Sequence, residues 1–474
     1  MSFYPAVQSL PRHFRLILSS FMQHDGLPFA DVLPEQTIQQ AFADAEADFA
    51  LDEDDVFTPA LTLWAFLSQA LHAKELRSCT AAVARVIVLL VALGKEPCAD
   101  NTGAYCRARA KLPAAIIRRL TTDIADGCER RLKRRWLWKG LHVHLVDGTT
   151  VSMPDSVANQ AAYPQADSQQ EGLGFPIARV VVLLSLATAM VHGMAMAPYA
   201  GKETGETALL RELLDRLDQG SVILADRYYC SYFMIALLQE LGIDIVARLH
   251  QRRDVDFQRG ERLGSGDHVV TWTKPQRPEW MDETTYQRMP ASLRVREIHV
   301  QVHQPGFRVE SLVVVTTLTD AAQYPKDDIA ELYHQRWLVE LDIRAIKVTM
   351  NMDVLRCRSP EMVEREMWTC LLAYNLIRQA MLEAALQAER SPRELSFTAA
   401  LQKLAAAWAI LAVCDEALRV ELVAAQLRDM AKNIIGERPD RVEPRAVKRR
   451  PKPHKLLTEP RATARAKLMR GNAA

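Results

Sequence analysis

What this chain lacks narrows its class before any motif is read. Its eight cysteines, at 79, 98, 106, 128, 230, 357, 370 and 414, include no C-x-x-C pair. That argues against a disulfide scaffold and a zinc ribbon, both of which need closely spaced sulfurs; the thiols read as reduced core residues. No apolar run suits a bilayer, whose crossing takes roughly 20 predominantly apolar residues. Residues 86–93 are too few, and 180–196 are interrupted by Ser185, Thr188 and His192. The opening Met-Ser-Phe-Tyr-Pro-Ala-Val has no basic segment leading into an apolar one, so no secretory signal is expected. No internal repeat is visible. The expectation is a cytoplasmic protein without a membrane partner.

Charge of one sign is almost missing in sum, at a formal +1, but not in distribution. From Arg438 onward twelve lysines and arginines stand against Asp440, Glu443 and Glu459, a local +9 that leaves −8 for the rest. A basic, proline-broken tail of this kind cannot pack a core but can neutralise phosphates. Residues 31–55 carry nine acids and no lysine or arginine, a stretch unsuited to lying on DNA. Between them, residues 130–139 interleave six cations with Trp136 and Trp138. That patch suits either a grip on a phosphate backbone or a solvated helix end with its tryptophans turned inward.

With 474 residues, and about 100–200 residues per domain, the chain has room for roughly three domains. Residues 1–130 read as helical, with apolar stretches at 59–71, 81–93 and 113–126. The pattern then changes to strands at 142–146, 180–186, 191–197, 221–225 and 243–249, alternating with amphipathic helices at 203–217 and 232–241. Asp147 and Asp226 each follow a strand, where an α/β sheet opens a crevice. Residues 250–318 are β-rich with Gly- and Pro-bearing turns, and 361–388 and 397–430 are helical again.

The stretch 333–347 carries the chemistry. Tyr333, Arg336, Glu340 and Lys347 stand at i, i+3, i+7 and i+14. At about 100° per residue of an α-helix they fall within roughly 60° of one another, and Arg344 lies on the same stripe. Trp337, Leu338, Val339, Leu341, Ile343, Ala345 and Ile346 fill most other positions, so burial is expected around most of the circumference. An isolated Arg336–Glu340 helix pair would explain a polar face but not the apolar remainder. Asp147, Asp226 and Glu340 meet if the two strands are neighbours and the helix crosses their ends. Oxygen ligands suit Mg²⁺, and a pair of ions about 3.5–4 Å apart serves in-line displacement at phosphorus. Arg336 and Lys347 would donate to phosphate oxygens, and Tyr333 would offer a hydroxyl or a ring face.

The Y-x2-R-x3-E-x6-K arrangement of Tyr333, Arg336, Glu340 and Lys347 resembles the signature of bacterial transposases of the insertion-sequence-four family, in the DDE group. Asp147-Gly148-Thr149-Thr150 with Pro154-Asp155 resembles the segment around that family's first acid. Ala225-Asp226-Arg227-Tyr228-Tyr229 resembles the segment around its second, and residues 441–452 look like the ends of such proteins. The likeness runs from about Phe57 to Leu457. It implies an α/β fold with an RNase H-like catalytic core, a mostly β insertion, a helical N-terminal domain and a helical C-terminal region. The expected division is a DNA-binding region at 1–139, the core at 140–249 and 320–385, and the insertion at 250–319. A helical segment at 386–435 and a flexible basic tail at 436–474 complete it.

The resemblance further implies two Mg²⁺ or Mn²⁺ ions on Asp147, Asp226 and Glu340, with Tyr333, Arg336, Lys347 and Arg344 on DNA phosphates. The implied partner is double-stranded DNA, both the terminal inverted repeats of an element and the target, held by a homodimer at the nucleoid. Family members cut the 3′ strand with water and use the freed 3′-OH as the next nucleophile. In related transposases an insertion tryptophan holds a flipped base, stacking worth about 1–3 kcal/mol. Trp272 and Trp280 are the candidates here, with core packing as the alternative. His142 and His144 form an H-x-H but read as structural. Two other functions stay open: a metal-dependent nuclease that never joins strands, and a catalytically silent DNA-binding relic.

Overall fold

The structure is a computed structural model and describes residues 14–23, 34–45, 56–301, 311–436 and 457–471. Of the acidic run only 34–45, and of the basic tail only 457–471, fall within these residues. Among the described residues the first α-helices are α1 (Arg15–Ser20), α2 (Glu35–Asp44), α3 (Pro59–Ala70), α4 (Cys79–Ala92), α5 (Gly103–Lys111) and α6 (Ala114–Glu129). They start where local chemistry allows. Thr58 accepts from the Leu61 amide ahead of Pro59, and Ser78 does the same for Ala81, satisfying amides that have no partner inside the helix.

The sheet comes next. β1 (Val143–Ser152), β2 (Ile177–Ser185) and β3 (Val191–Pro198) are antiparallel neighbours, with α7 (Val157–Ala162) after β1. After α8 (Glu206–Arg211), β4 (Val222–Ala225) pairs parallel to β1, and after α9 (Tyr232–Glu240), β5 (Asp244–Arg248) pairs parallel to β4. The order β3-β2-β1-β4-β5 is that of an RNase H-like core. The β-rich segment supplies β6 (Glu261–Gly264), β7 (Asp267–Thr273), α10 (Glu283–Arg288), β8 (Ser292–Gln301) and β9 (Ser311–Thr316). β9 pairs antiparallel to β5, so these strands prolong the core sheet to nine. Buried Arg296 fixes the join: it donates to both oxygens of Asp267, at 2.8 and 2.6 Å, and to the Tyr324 carbonyl at 2.6 Å.

The chain returns through α11 (Lys326–His334), α12 (Leu338–Arg344), α13 (Pro360–Gln387), α14 (Phe397–Val413), α15 (Glu416–Lys432) and α16 (Arg461–Gly471). Because β-strand side chains alternate, Val143 and Leu145 of β1 join the core of α3, α6 and α13, while Val146 joins the core of α8 and α9. α13 also completes the edge strand β3. Fully buried Asn375 donates to the Val191 and Thr121 carbonyls, at 2.9 and 2.8 Å, and accepts from the Val191 amide at 2.9 Å.

Three sequence expectations need correction. The helix expected over 203–217 is only α8, because Glu203 adopts a left-handed φ of +55° and a 3-10 turn occupies Leu214–Arg216. There Arg216 turns away to bond Asp126 and the His192 carbonyl. The helical pattern over 397–430 divides into α14 and α15, where Asp415 caps the Leu418 amide at 2.9 Å. Part of the tail expected to be flexible forms α16. In the basic patch the cations are exposed and the tryptophans turn inward, Trp138 stacking on Tyr324 at 5.8 Å. All eight cysteines are free thiols, and no described helix is long and apolar enough to cross a membrane.

α6 meets the sheet through a buried polar cluster. His192 Nδ1 lies 3.0 Å from Asp126 Oδ1 and its Nε2 lies 3.7 Å from Glu129 Oε2, while His142 Nδ1 lies 2.8 Å from Glu129 Oε1. Burial alone would lower the pKa of His192, but the two carboxylates outweigh it and push it up to about 9. Neighbouring His144 is pushed down to about 3, by burial first and then by the charge of His192. A folded pKa above the ordinary value means that the ion pairs of His192 stabilise fully below about pH 6.5 and are lost as pH rises through about 9. Thermal unfolding should therefore show the wild type losing more stability over that interval than His192→Gln; parallel curves would refute the assignment.

Candidate active site

β1 and β4 pair with Val143 opposite Val222. Asp147 and Asp226, each four residues further on, therefore come side by side on neighbouring parallel strands, which lie about 4.8 Å apart. Asp226 stands just past the end of β4, but Asp147 lies inside β1, which runs on to Ser152 paired with β2 instead of ending at 146 as its sequence suggested. Asp147 Oδ1 accepts from the Gly148 amide at 2.8 Å, and Asp226 Oδ1 accepts from the Tyr228 amide at 2.7 Å, closing a local turn. Burial pushes the Asp147 carboxyl up to about 6; the Gly148 amide and Arg336 oppose this, and Glu206 and Asp226 add to it.

The helix expected over 333–347 is not one uniform α-helix. It is the end of α11, a 3-10 turn at Gln335–Trp337, α12, and a π turn at Ala345–Thr349. Each change of winding rotates the next side chains away from their places on an ideal helix. Trp337 and Leu341 stand 50% and 38% exposed, against the expectation of burial around most of the circumference.

The inner side is fixed by Asp342, a residue whose role the sequence reading missed. It is 2% exposed and accepts from Arg378 at 3.0 Å and from Arg393 at 2.8 and 2.6 Å. Arg393 also donates to the carbonyls of Ser185 and Leu186, both at 2.8 Å, and Arg378 to the Tyr374 hydroxyl at 2.9 Å. α12 is thereby tied to α13 and to the end of β2. The one signal in the sequence was an acid set among apolar positions.

Glu340, two residues earlier, consequently faces the strand ends. Arg336 lies between the acids, 2.9 Å from Glu340 Oε1 and 3.8 Å from Asp147 Oδ2. Burial disfavours its charge, but Tyr333, Glu340 and Asp147 outweigh that and hold its pKa above the usual guanidinium value. Burial pushes the Tyr333 hydroxyl up to about 12, so it stays a donor at neutral pH. Lys347 donates to Thr149 Oγ1 at 3.0 Å, two places along β1 from Asp147 and on the same face. The chain beyond the π turn is stitched to β1 by Ser152, whose amide donates to the Asp353 carbonyl at 3.0 Å and whose carbonyl accepts from Leu355 at 2.8 Å.

Asp147, Glu340, Tyr333 and Arg336 thus lie together near Asp226, Lys347 is held two strand positions along from Asp147, and Arg344 is exposed. The two tryptophans are engaged elsewhere. Trp272 is 6% exposed, donates to Glu297 at 2.9 Å and has the Arg253 guanidinium 3.7 Å from its ring centre. Half-buried Trp280 has Arg211 at 3.8 Å and the edge of Phe233 at 6.3 Å. Glu206 and Tyr229, both beside Asp147 and Asp226, were also missed; an acid opening a short helix carries no sequence signal of its own.

Among the described residues no three His, Cys, Asp or Glu side chains are gathered tightly enough to enclose a metal alone. Mg²⁺ needs no such cage, since one or two carboxylates with substrate phosphates and waters suffice. The donor set fits that ion: it is all oxygen, and a guanidinium already bridges two of the acids.

Residues 138–376 match the family model described as "Transposase DDE domain". The chain is similar to the transposase InsG for insertion sequence element IS4 of Escherichia coli (strain K12), at 27% identity over 346 residues, 71% of this chain and 73% of that protein. A chain of the piggyBac transposase synaptic complex with hairpin DNA is similar at TM-score 0.42 and 10% identity, over 90% of this chain and 88% of that one.

Removing the Asp342 carboxylate leaves two arginines without their counter-charge inside the protein, a kind of loss that costs about 3–5 kcal/mol. Asp342→Ala should lower unfolding stability by that amount in a denaturant titration, and a change under about 1 kcal/mol would contradict the role given to the clamp.

Proposed function

As a member of the transposase DDE domain family, to which the chain belongs by its match over residues 138–376, the protein is a DNA transposase, and we propose that Asp147, Asp226 and Glu340 are its catalytic acids. The observation that carries this is the register that sets Asp147 and Asp226 on neighbouring parallel strands, with Arg336 joining Asp147 to Glu340 on the helix laid across them.

The family works with divalent metal, and the three acids would hold Mg²⁺ or Mn²⁺, two ions in all, through pairs of carboxylates. When bound, such ions supply activation of the attacking oxygen and stabilisation of the leaving one. The chain's own residues do the rest. Once the acids are neutralised, Arg336 is released to grip a phosphate bidentately. Lys347, steadied by Thr149, places a point charge beside it, and Tyr333 donates its hydroxyl. Arg344, exposed at the rim, extends the contact along the DNA backbone.

On this reading a homodimer brings together the two inverted-repeat ends of an element, cuts them with water and joins the freed 3′-OH groups to target DNA. The helical region 1–139 and the basic tail 436–474 bind duplex DNA outside the crevice, at the nucleoid. Of the two tryptophans, half-buried Trp280 is the better candidate for holding a flipped base, since Trp272 is committed to Glu297.

Asp147→Asn or Glu340→Gln should remove several kcal/mol of transition-state stabilisation, roughly a 1000-fold loss of cleavage or more, while end binding in a gel-shift assay stays near wild type. Ordinary Mg²⁺-dependent nicking by either variant would defeat the assignment. Pre-nicked ends should be joined to target DNA; cutting without joining would make the protein a nuclease. Truncation before Arg438 should flatten the salt dependence of DNA binding by about 0.9 in log–log slope for each phosphate that the tail neutralises.

A further inference from the structure

We propose that Glu206, at the first position of α8, is a fourth acid of this site and helps position a divalent cation against Asp147 and Asp226 from the opposite face of the sheet. The inference rests on the proposal that those two acids hold metal.

Alternation along β1 puts Asp147 on the face of Leu145, toward the core of α13, and Gly148 on the face of Val146, toward α8 and α9. The Glu206 carboxyl occupies the notch that Gly148 leaves. A Cβ at position 148 would stand 2.3 Å from Glu206 Cδ and 2.4 Å from Oε1. Gly148 lies in regular strand with no left-handed φ, so backbone conformation does not call for glycine there. What excludes a side chain is the carboxylate itself. Glu340 thus reaches the strand ends from one side of the sheet and Glu206 from the other.

The electrostatics agree with that placement. Asp147 lies close enough to feel the charges of Glu206 and Asp226, and Glu206 close enough to feel those of Asp226 and Arg179. The fully buried Tyr229 hydroxyl donates to Glu206 Oε2 at 3.5 Å and feels the negative charge of all three carboxylates. Among the described residues no Lys, Arg or His forms an ion pair with Glu206; Arg179 donates instead to the Thr204 carbonyl at 2.9 Å. A half-buried acid packed beside two others without a paired cation is unfavourable on its own. A shared divalent ion would balance it.

The test is a Mn²⁺ titration of the full-length protein on its own end duplex, with free Mn²⁺ read by electron paramagnetic resonance. Glu206→Gln, which keeps the shape and the acceptor for Tyr229, should weaken at least one Mn²⁺ site tenfold or more. Gly148→Ala, which displaces the carboxylate without removing it, should do the same. Glu206→Gln should also raise the Mg²⁺ concentration for half-maximal cleavage. Lower melting temperature with a wild-type Mn²⁺ titration would make Glu206 merely structural and overturn the proposal. Asp147→Asn run alongside separates the two readings: if it weakens Mn²⁺ while Glu206→Gln does not, only the fourth acid is lost. If Asp147→Asn also titrates as wild type, the assignment of the catalytic acids falls too, and this inference with it.

Discussion

Asp342 is a carboxylate taken almost wholly out of water, and it is tolerable there only because Arg378 and Arg393 meet it with three hydrogen bonds. Those arginines arrive from α13 and from the loop after it, and Arg393 also grips the end of β2. One buried charge therefore locks the azimuth of α12 against both a helix and a strand. The geometry of the proposed site depends on that lock. With Asp342 turned inward, Glu340 and Arg336 have to face the strand ends, where a rotation by one residue would aim them about 100° away.

At the crevice the problem is reversed, because acids are crowded rather than neutralised. Register sets Asp147 beside Asp226, the helix adds Glu340, and α8 brings Glu206 up against Gly148. Crowded carboxylates repel one another, and the protein answers with Arg336 between two of them and with buried hydroxyls around them. Burial, and after it the neighbouring acids Glu206 and Asp226, raise the proton affinity of Asp147, and the crowding of negative charge there is what the proposed cation would relieve.

The β-rich segment belongs to the same logic. Its strands continue the core sheet through the β5–β9 pairing, and the Arg296–Asp267 pair binds them to the return segment at Tyr324. α11 therefore starts from a fixed point. Because the sheet is continuous from β3 to β6, the distance from the edge under α13 to the far strands is set by hydrogen bonds rather than by a linker.

Much of this was legible in the residues. The apolar stretches at 59–71, 81–93 and 113–126 mark α3, α4 and α6, the apolar runs mark β1, β2, β4 and β5, and the Tyr333-Arg336-Glu340-Lys347 spacing names one face. These are local signals, carried by hydrogen bonds and periodicities that span a few residues. What the sequence could not carry was anything that depends on a remote neighbour. The exposure of Trp337 comes from a 3-10 turn, the role of Asp342 from two arginines 36 and 51 residues on, and that of Glu206 from a missing Cβ on β1. So the chain alone determined which side chains are chemically able to act and roughly where its strands and helices lie. The tertiary structure decided which of them meet, because winding, register and the pairing of buried charge are settled only when distant segments pack together.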